Sequence, residues 1–195
     1  HAEKAASQSS ETAVADTLAR VRYASDDKVK ALKELHTTLS RDGTEELRAS
    51  YNELLDRYLA SQVETAQSSQ QRQAFDALAR LDFEPKAAYT RIQLLALAGQ
   101  GEEALQAVSA ARKKFPLSKD LQDGLDDIGS QVAASLYRQF QSGQAAKAVA
   151  DAKKLSESYP QISALKQAYD KLFEAMLADV STISVPDEVA RKSQR

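Results

Sequence analysis

Residues 98–116 read AGQGEEALQAVSAARKKFP, and 44 positions later residues 142–160 read SGQAAKAVADAKKLSESYP. Both stretches carry a Gly-Gln pair, an alanine five positions beyond the glycine (Ala104, Ala148), an apolar residue after it (Leu105, Val149) and an aromatic-Pro ending. The same gap-free offset continues into Leu121 and Leu165. A chain that repeats itself this way builds one local unit twice. The pattern describes a helix that ends at glycine and a second helix that turns a small residue inward. The small side chain lets two helix backbones approach closely. Such a pair cannot bury its apolar face alone, so it stacks on the next pair.

The rest of the chain fits an all-α fold. Only six glycines and four prolines interrupt 195 residues rich in strong helix formers, and no stretch alternates apolar and β-branched positions as a strand would. Nine helical segments follow from periodicity and punctuation. The first places Val14, Leu18 and Val21 on a core-facing stripe, with Ala15 and Ala24 filling it. Asp27 stands as N-cap of the second, whose stripe is Val29, Leu32, Leu35 and Leu39, with Gly43 as a left-handed C′ residue. Thr44 starts the third, which runs through Leu47, Tyr51, Leu54, Leu55, Tyr58 and Leu59. The fourth carries Ala74, Phe75, Leu78 and Leu81 and stops before Pro85. The fifth spans about 86–98 and the sixth ends on Arg112, Lys113 and Lys114, a charge suited to a helix C-terminus. The seventh, capped by Ser118, reaches about Gln141. Gly143 opens the eighth, and the ninth runs over about 163–180 with Tyr169, Phe173, Met176 and Leu177 on its apolar side. Residues 1–11 read as a polar tail or linker, 12–180 as the repeat domain and 181–195 as a C-terminal tail.

The segment RIQLLALAGQGEEALQAVSAARKKFP, residues 91–116, resembles a tetratricopeptide repeat: Gly99 at the turn, Glu103-Ala104-Leu105 early in the second helix, Ala111 one face further on, and Pro116 at the end. In the second copy Gly143, Ala148-Val149 and Pro160 match, while Leu155 replaces the small residue and Lys147 the acid. Ala31-Leu32 and Ala74-Phe75 fit more distantly. The family's aromatic and Leu-Gly signature in the first helix is missing, with Ile92 and Leu136 at the close-packing position. The alanines Ala31, Ala74, Ala104 and Ala148 are spaced by 43, 30 and 44 residues, against a repeat of about 34 in that family. The resemblance implies a right-handed superhelix of antiparallel helix pairs, a divergent α-solenoid of about nine helices.

Little in the sequence points to catalysis, and no catalytic, cofactor or metal residue is assigned. Apart from the terminal His1, the one histidine is His36, on a helix with no acid–nucleophile constellation around it, so a structural role is expected. There is no cysteine, no His cluster for a transition metal and no glycine-rich phosphate loop. Asp120, Asp123 and Asp127 share a helix face, which is expected to be solvated rather than cation-binding. Net charge is −2 from 26 basic and 28 acidic residues, so nothing draws nucleic acid or an anionic membrane. The longest apolar run, LLALA at 94–98, is too short to insert in a bilayer. The chain opens on His1-Ala2, which suggests a processed form or a portion of a longer protein.

The expected function is a non-catalytic protein–protein interaction scaffold, with a periplasmic or envelope setting such as a bacterial secretion assembly. The alternative is an accessory helical-repeat domain of an exopolysaccharide export or modification system. In the resembling family the first helix of each pair lines the groove that holds a protein partner. Carried over, this implies Lys86, Tyr89 and Gln93 in one repeat and Tyr137, Phe140 and Gln141 in the next. The aromatics among them either grip a peptide or fill the interface between neighbouring pairs. Oligomerisation through exposed terminal helices is a further expectation, since the ninth helix has an apolar face with no polar cap.

Overall fold

The structure is a computed structural model that describes the backbone of residues 2–25, 27–68 and 70–181 and side chains within 13–178. The described residues form nine α-helices and no strand: α1 Ala2–Ala24, α2 Lys28–Asp42, α3 Glu45–Gln67, α4 Gln71–Ala79, α5 Pro85–Leu97, α6 Gly101–Lys114, α7 Lys119–Gln141, α8 Ala145–Ser158 and α9 Ser163–Ser181. None of these helices is long and apolar enough to cross a membrane. Within the span expected as one repeat domain the chain divides into two compact units, with the boundary in the sequence between Leu94 and Leu95. The C-terminal tail expected at 181–195 lies, from Thr182 onward, outside the described residues.

In the N-terminal unit α1 packs on α2 and α3, α2 on α3, and α3 on α4. Its core is Leu32 and Leu35 of α2, Leu47, Leu54 and Leu55 of α3, and Ala74 and Leu78 of α4, all buried. Thr44 caps α3 as its hydroxyl accepts from the Leu47 amide at 3.2 Å. Arg20 ties α1 to α3 by donating to Ser50 Oγ at 2.8 Å and Glu53 at 3.1 Å.

Several local expectations change here. The α1 residue that enters the core is Ala19, while Val14, Leu18 and Val21 are exposed. Ala19 lies at helical spacing from half-buried Ala15, Arg22 and Tyr23, and its small size lets α1 lie close to its neighbours. The polar stretch at 1–11 has helical backbone from Ala2; alanine, lysine, glutamate and glutamine favour helix whatever they bury. Gly43 follows α2 with φ −70°, an extended rather than left-handed conformation. Asp27 and Ser118 hold their N-cap positions without side-chain caps. The fourth helix ends at Ala79, before the turn bonds Leu81 N–H to Leu78 C=O and Glu84 N–H to Leu81 C=O. Pro85 then takes the first position of α5, where its missing N–H costs nothing.

In the C-terminal unit α7 packs on α6, α8 and α9, and α8 packs on α9. The sequence repeat is also a repeat of conformation. Gly99 and Gly143 have φ of +80° and +88°, where a side chain would be strained by about 1 kcal/mol. Each closes a helix by the same paired bonds. Gly99 N–H donates to Ala96 C=O at 3.2 Å and Gln100 N–H to Leu95 C=O at 3.0 Å; in the second copy Gly143 donates to Phe140 at 3.1 Å and Gln144 to Gln139 at 3.2 Å. The helices that follow, α6 and α8, are both 14 residues long. They end alike, with Phe115 N–H on Ala111 C=O at 2.8 Å and Tyr159 N–H on Leu155 C=O at 2.9 Å. Ala104 and Ala148 are fully buried, as the small-residue contact requires. The 44-residue period exceeds 34 because α7, like α3, is 23 residues long.

Candidate functional site: a cleft between α6, α7 and α8

The turn from α5 into α6 carries a second glycine. Gly101 is buried, and a Cβ there would lie 2.6 Å from Val132 Cγ1 and 3.5 Å from Leu155 Cδ1. Its bare backbone lets the start of α6 rest directly on α7. Beside that contact opens a cleft of about 390 Å³, a size that suits a small ligand or a few residues of a peptide.

The floor is apolar, made by Val132 and Leu136 of α7 and Leu155 of α8. The rim is polar. Lys154 of α8 reaches Glu102 of α6 at 2.5 Å, and Gln139 Nε2 of α7 donates to Asp151 of α8 at 3.4 Å. The Glu102 carboxylate raises the Lys154 pKa by accepting its hydrogen bond. Both partners are well exposed, so this bridge orients the rim more than it stabilises the unit. Gln100, Glu103, Gln106 and Ser135 complete the lining. Gln100 is the N-cap of α6 but gives no side-chain cap. Amide, hydroxyl and carboxylate groups over an apolar floor can hold a polar extended chain. The lining contains no imidazole, phenol or thiol.

The expected groove residues lie elsewhere. Lys86, Tyr89 and Gln93 are on α5 in the N-terminal unit, and Tyr137, Phe140 and Gln141 are on α7 in the C-terminal unit. Lys86 is exposed and 3.5 Å from Asp56, Gln141 is exposed, and the other four are half-buried. None of the six lines the cleft. Burial raises the Tyr137 pKa above the ordinary phenol value.

The N-terminal unit holds a polar pair that the sequence did not announce. Tyr51 Oη donates to Glu84 Oε2 at 2.5 Å, and Glu84 Oε1 accepts from the Lys86 amide at 3.1 Å, capping α5. Burial, then the Glu84 hydrogen bond, pushes the Tyr51 pKa far above the usual phenol range. His36 is half-buried, with its ring centroid 4.7 Å from that of Phe83 and 6.0 Å from that of Tyr51. Glutamate is not among the residues that usually cap a helix, and its tyrosine partner lies 33 residues earlier, so neither half of the pair was signalled locally. Among the described residues no three His, Cys, Asp or Glu side chains are grouped to hold a metal ion. Asp127 accepts from Gln131 at 3.1 Å on its own helix. No protein-family model matches this chain, and neither a curated protein nor a solved structure does.

Proposed function

We propose that the chain is a non-catalytic interaction module, a divergent tetratricopeptide-like array whose helix pairs stack in a right-handed superhelix and hold a protein partner. The observation that carries this is the duplicated turn and helix: two stretches 44 residues apart share sequence, glycine conformation, helix length and terminal hydrogen bonds. Repeated helix pairs create extended surfaces for partners rather than one enclosed reaction chamber. The cleft supports the same conclusion, since its amides and carboxylates suit hydrogen bonding to a peptide backbone.

The test is capture from an extract of the source organism, followed by direct titration of whatever protein is captured in purified form. Three forms are compared after circular dichroism shows each to be folded: wild type, Tyr137→Ala/Phe140→Ala on α7, and Glu103→Lys in the cleft. Saturable binding that weakens at least tenfold in one variant is expected, and the variant that fails places the contact. Capture of a polysaccharide with no protein binding would overturn the proposal in favour of the polymer-handling alternative.

A further inference from the structure

The charged residues on the rim of the cleft are not part of what the repeat conserves. At the offset of 44, Glu102 and Glu103 of α6 correspond to Ala146 and Lys147, and Asp151 and Lys154 of α8 correspond to Ala107 and Ala110. The residues that make the turn and the close helix contact are kept at the same offset: Gly99 with Gly143, Gln100 with Gln144, and Ala104 with Ala148. α8 starts with no acidic residue in its first turn, so the acids of α6 are not needed to begin such a helix. Four positions at which the copies differ in charge thus meet around one cleft.

The charge there is unbalanced. Glu102, Glu103 and Asp151 set three carboxylates against the single ammonium of Lys154, an excess of two negative charges. Among the described residues Glu103 has no hydrogen bond or ion pair of its own, and Asp151 accepts a long bond, 3.4 Å, from the neutral Gln139 amide. The rim already favours a cation: the Lys154 ammonium donates to Glu102, which raises its pKa, and Asp151 adds to the effect. An anionic ligand would meet the same excess as repulsion, and no aromatic ring lines the cleft for stacking. Below the rim, Val132, Leu136 and Leu155 offer an apolar floor. A group that suits both has an aliphatic stem and a positive head, the build of lysine and arginine.

We infer that the cleft between α6, α7 and α8 holds a lysine or arginine side chain from an extended segment of a protein partner, its stem on the apolar floor and its head among the carboxylates. This rests on the reading of the chain as an interaction module and adds the chemistry of what it recognises. Exposed carboxylates gain little from one cation, so a single basic residue binds weakly here, and the charge serves to select the partner.

Titration of the full 195-residue chain with an acetylated, amidated Ala-Ala-Arg-Ala-Ala peptide, followed by amide NMR shifts, tests this. Two control peptides carry norleucine, a stem without charge, or glutamate at the central position. The arginine peptide should shift the amides of Gly101, Ser135 and Leu155 saturably, with a Kd on the order of 1 mM. The norleucine peptide should bind about tenfold more weakly, and the glutamate peptide should cause no saturable shift. Glu103→Gln, at an exposed position, should weaken the arginine peptide about threefold at unchanged helicity, as loss of one exposed ion pair does. Raising salt from about 50 to about 500 mM should weaken it as well. Equal binding of the arginine and norleucine peptides would overturn the inference, as would no saturable shift up to about 10 mM. Protein capture that Glu103→Lys leaves unchanged would also overturn it while keeping the interaction module. A cleft selective for arginine in a chain that captures no protein would uphold the cation site and fault the module reading.

Discussion

Leu121→Ala should lower stability by about 3–5 kcal/mol, and Leu165→Ala should lower it by a similar amount. Both side chains are fully buried, and they stand 44 residues apart at matching points of the first turns of α7 and α9. Removing three carbons from a packed site loses their transfer free energy and leaves a cavity that the surroundings only partly fill. Urea denaturation of the two variants checks this, read as a shift in midpoint at constant slope. The two costs should agree to within about 1 kcal/mol if the sites are equivalent, since the spread at fixed chemistry comes from how far each site relaxes. A cost under about 1 kcal/mol at one site and several at the other would mean that the repeat does not extend into the second helix.

Tyr51→Phe should cost about 1.5–3 kcal/mol near neutral pH, the usual worth of a hydrogen bond to a charged group. Glu84 is buried, with the Tyr51 hydroxyl on one oxygen and the Lys86 amide on the other. The substitution leaves that carboxylate one partner short. It should also change the alkaline limb of the stability curve. Tyr51 ionises well above the ordinary phenol value in the folded chain and near 10 when unfolded. Its contribution is fully present below pH 10 and falls as pH rises above it, because only the unfolded state has yet lost the proton. Wild type should therefore lose stability more steeply above pH 10 than Tyr51→Phe does. Tyr23 and Tyr58, also raised by burial, keep part of that slope in both proteins.

The helices were legible because their signals are local. Gly99 and Gly143 mark turns between helices, Pro85 keeps the fourth helix from running on, and the leucines of α2 and α3 recur at helical spacing. The side of α1 that faces inward was not legible. Val14, Leu18 and Val21 form the better stripe by hydrophobicity, yet Ala19 sits in the core, because close helix approach selects for small size as well as apolar character. Gly101 shows the same limit. Its place in a turn was plain, but its contact with Val132 depends on a helix 31 residues away. The cleft was missed for that reason, since its walls come from three helices. The expected groove residues follow from the family resemblance, while on α7 the cleft is lined by Val132, Ser135, Leu136 and Gln139.

The central claim is that one glycine turn and the helix after it are built twice, and amide hydrogen exchange resolved by residue tests it most directly. Positions 44 apart should exchange in the same order: Ala104 with Ala148 and Phe115 with Tyr159, each slowed by its matching carbonyl bond. The first-turn amides of α6 and α8 should exchange quickly in both copies, having no carbonyl within the helix to bond. Strong protection over 104–115 beside free exchange over 148–159 would contradict the account.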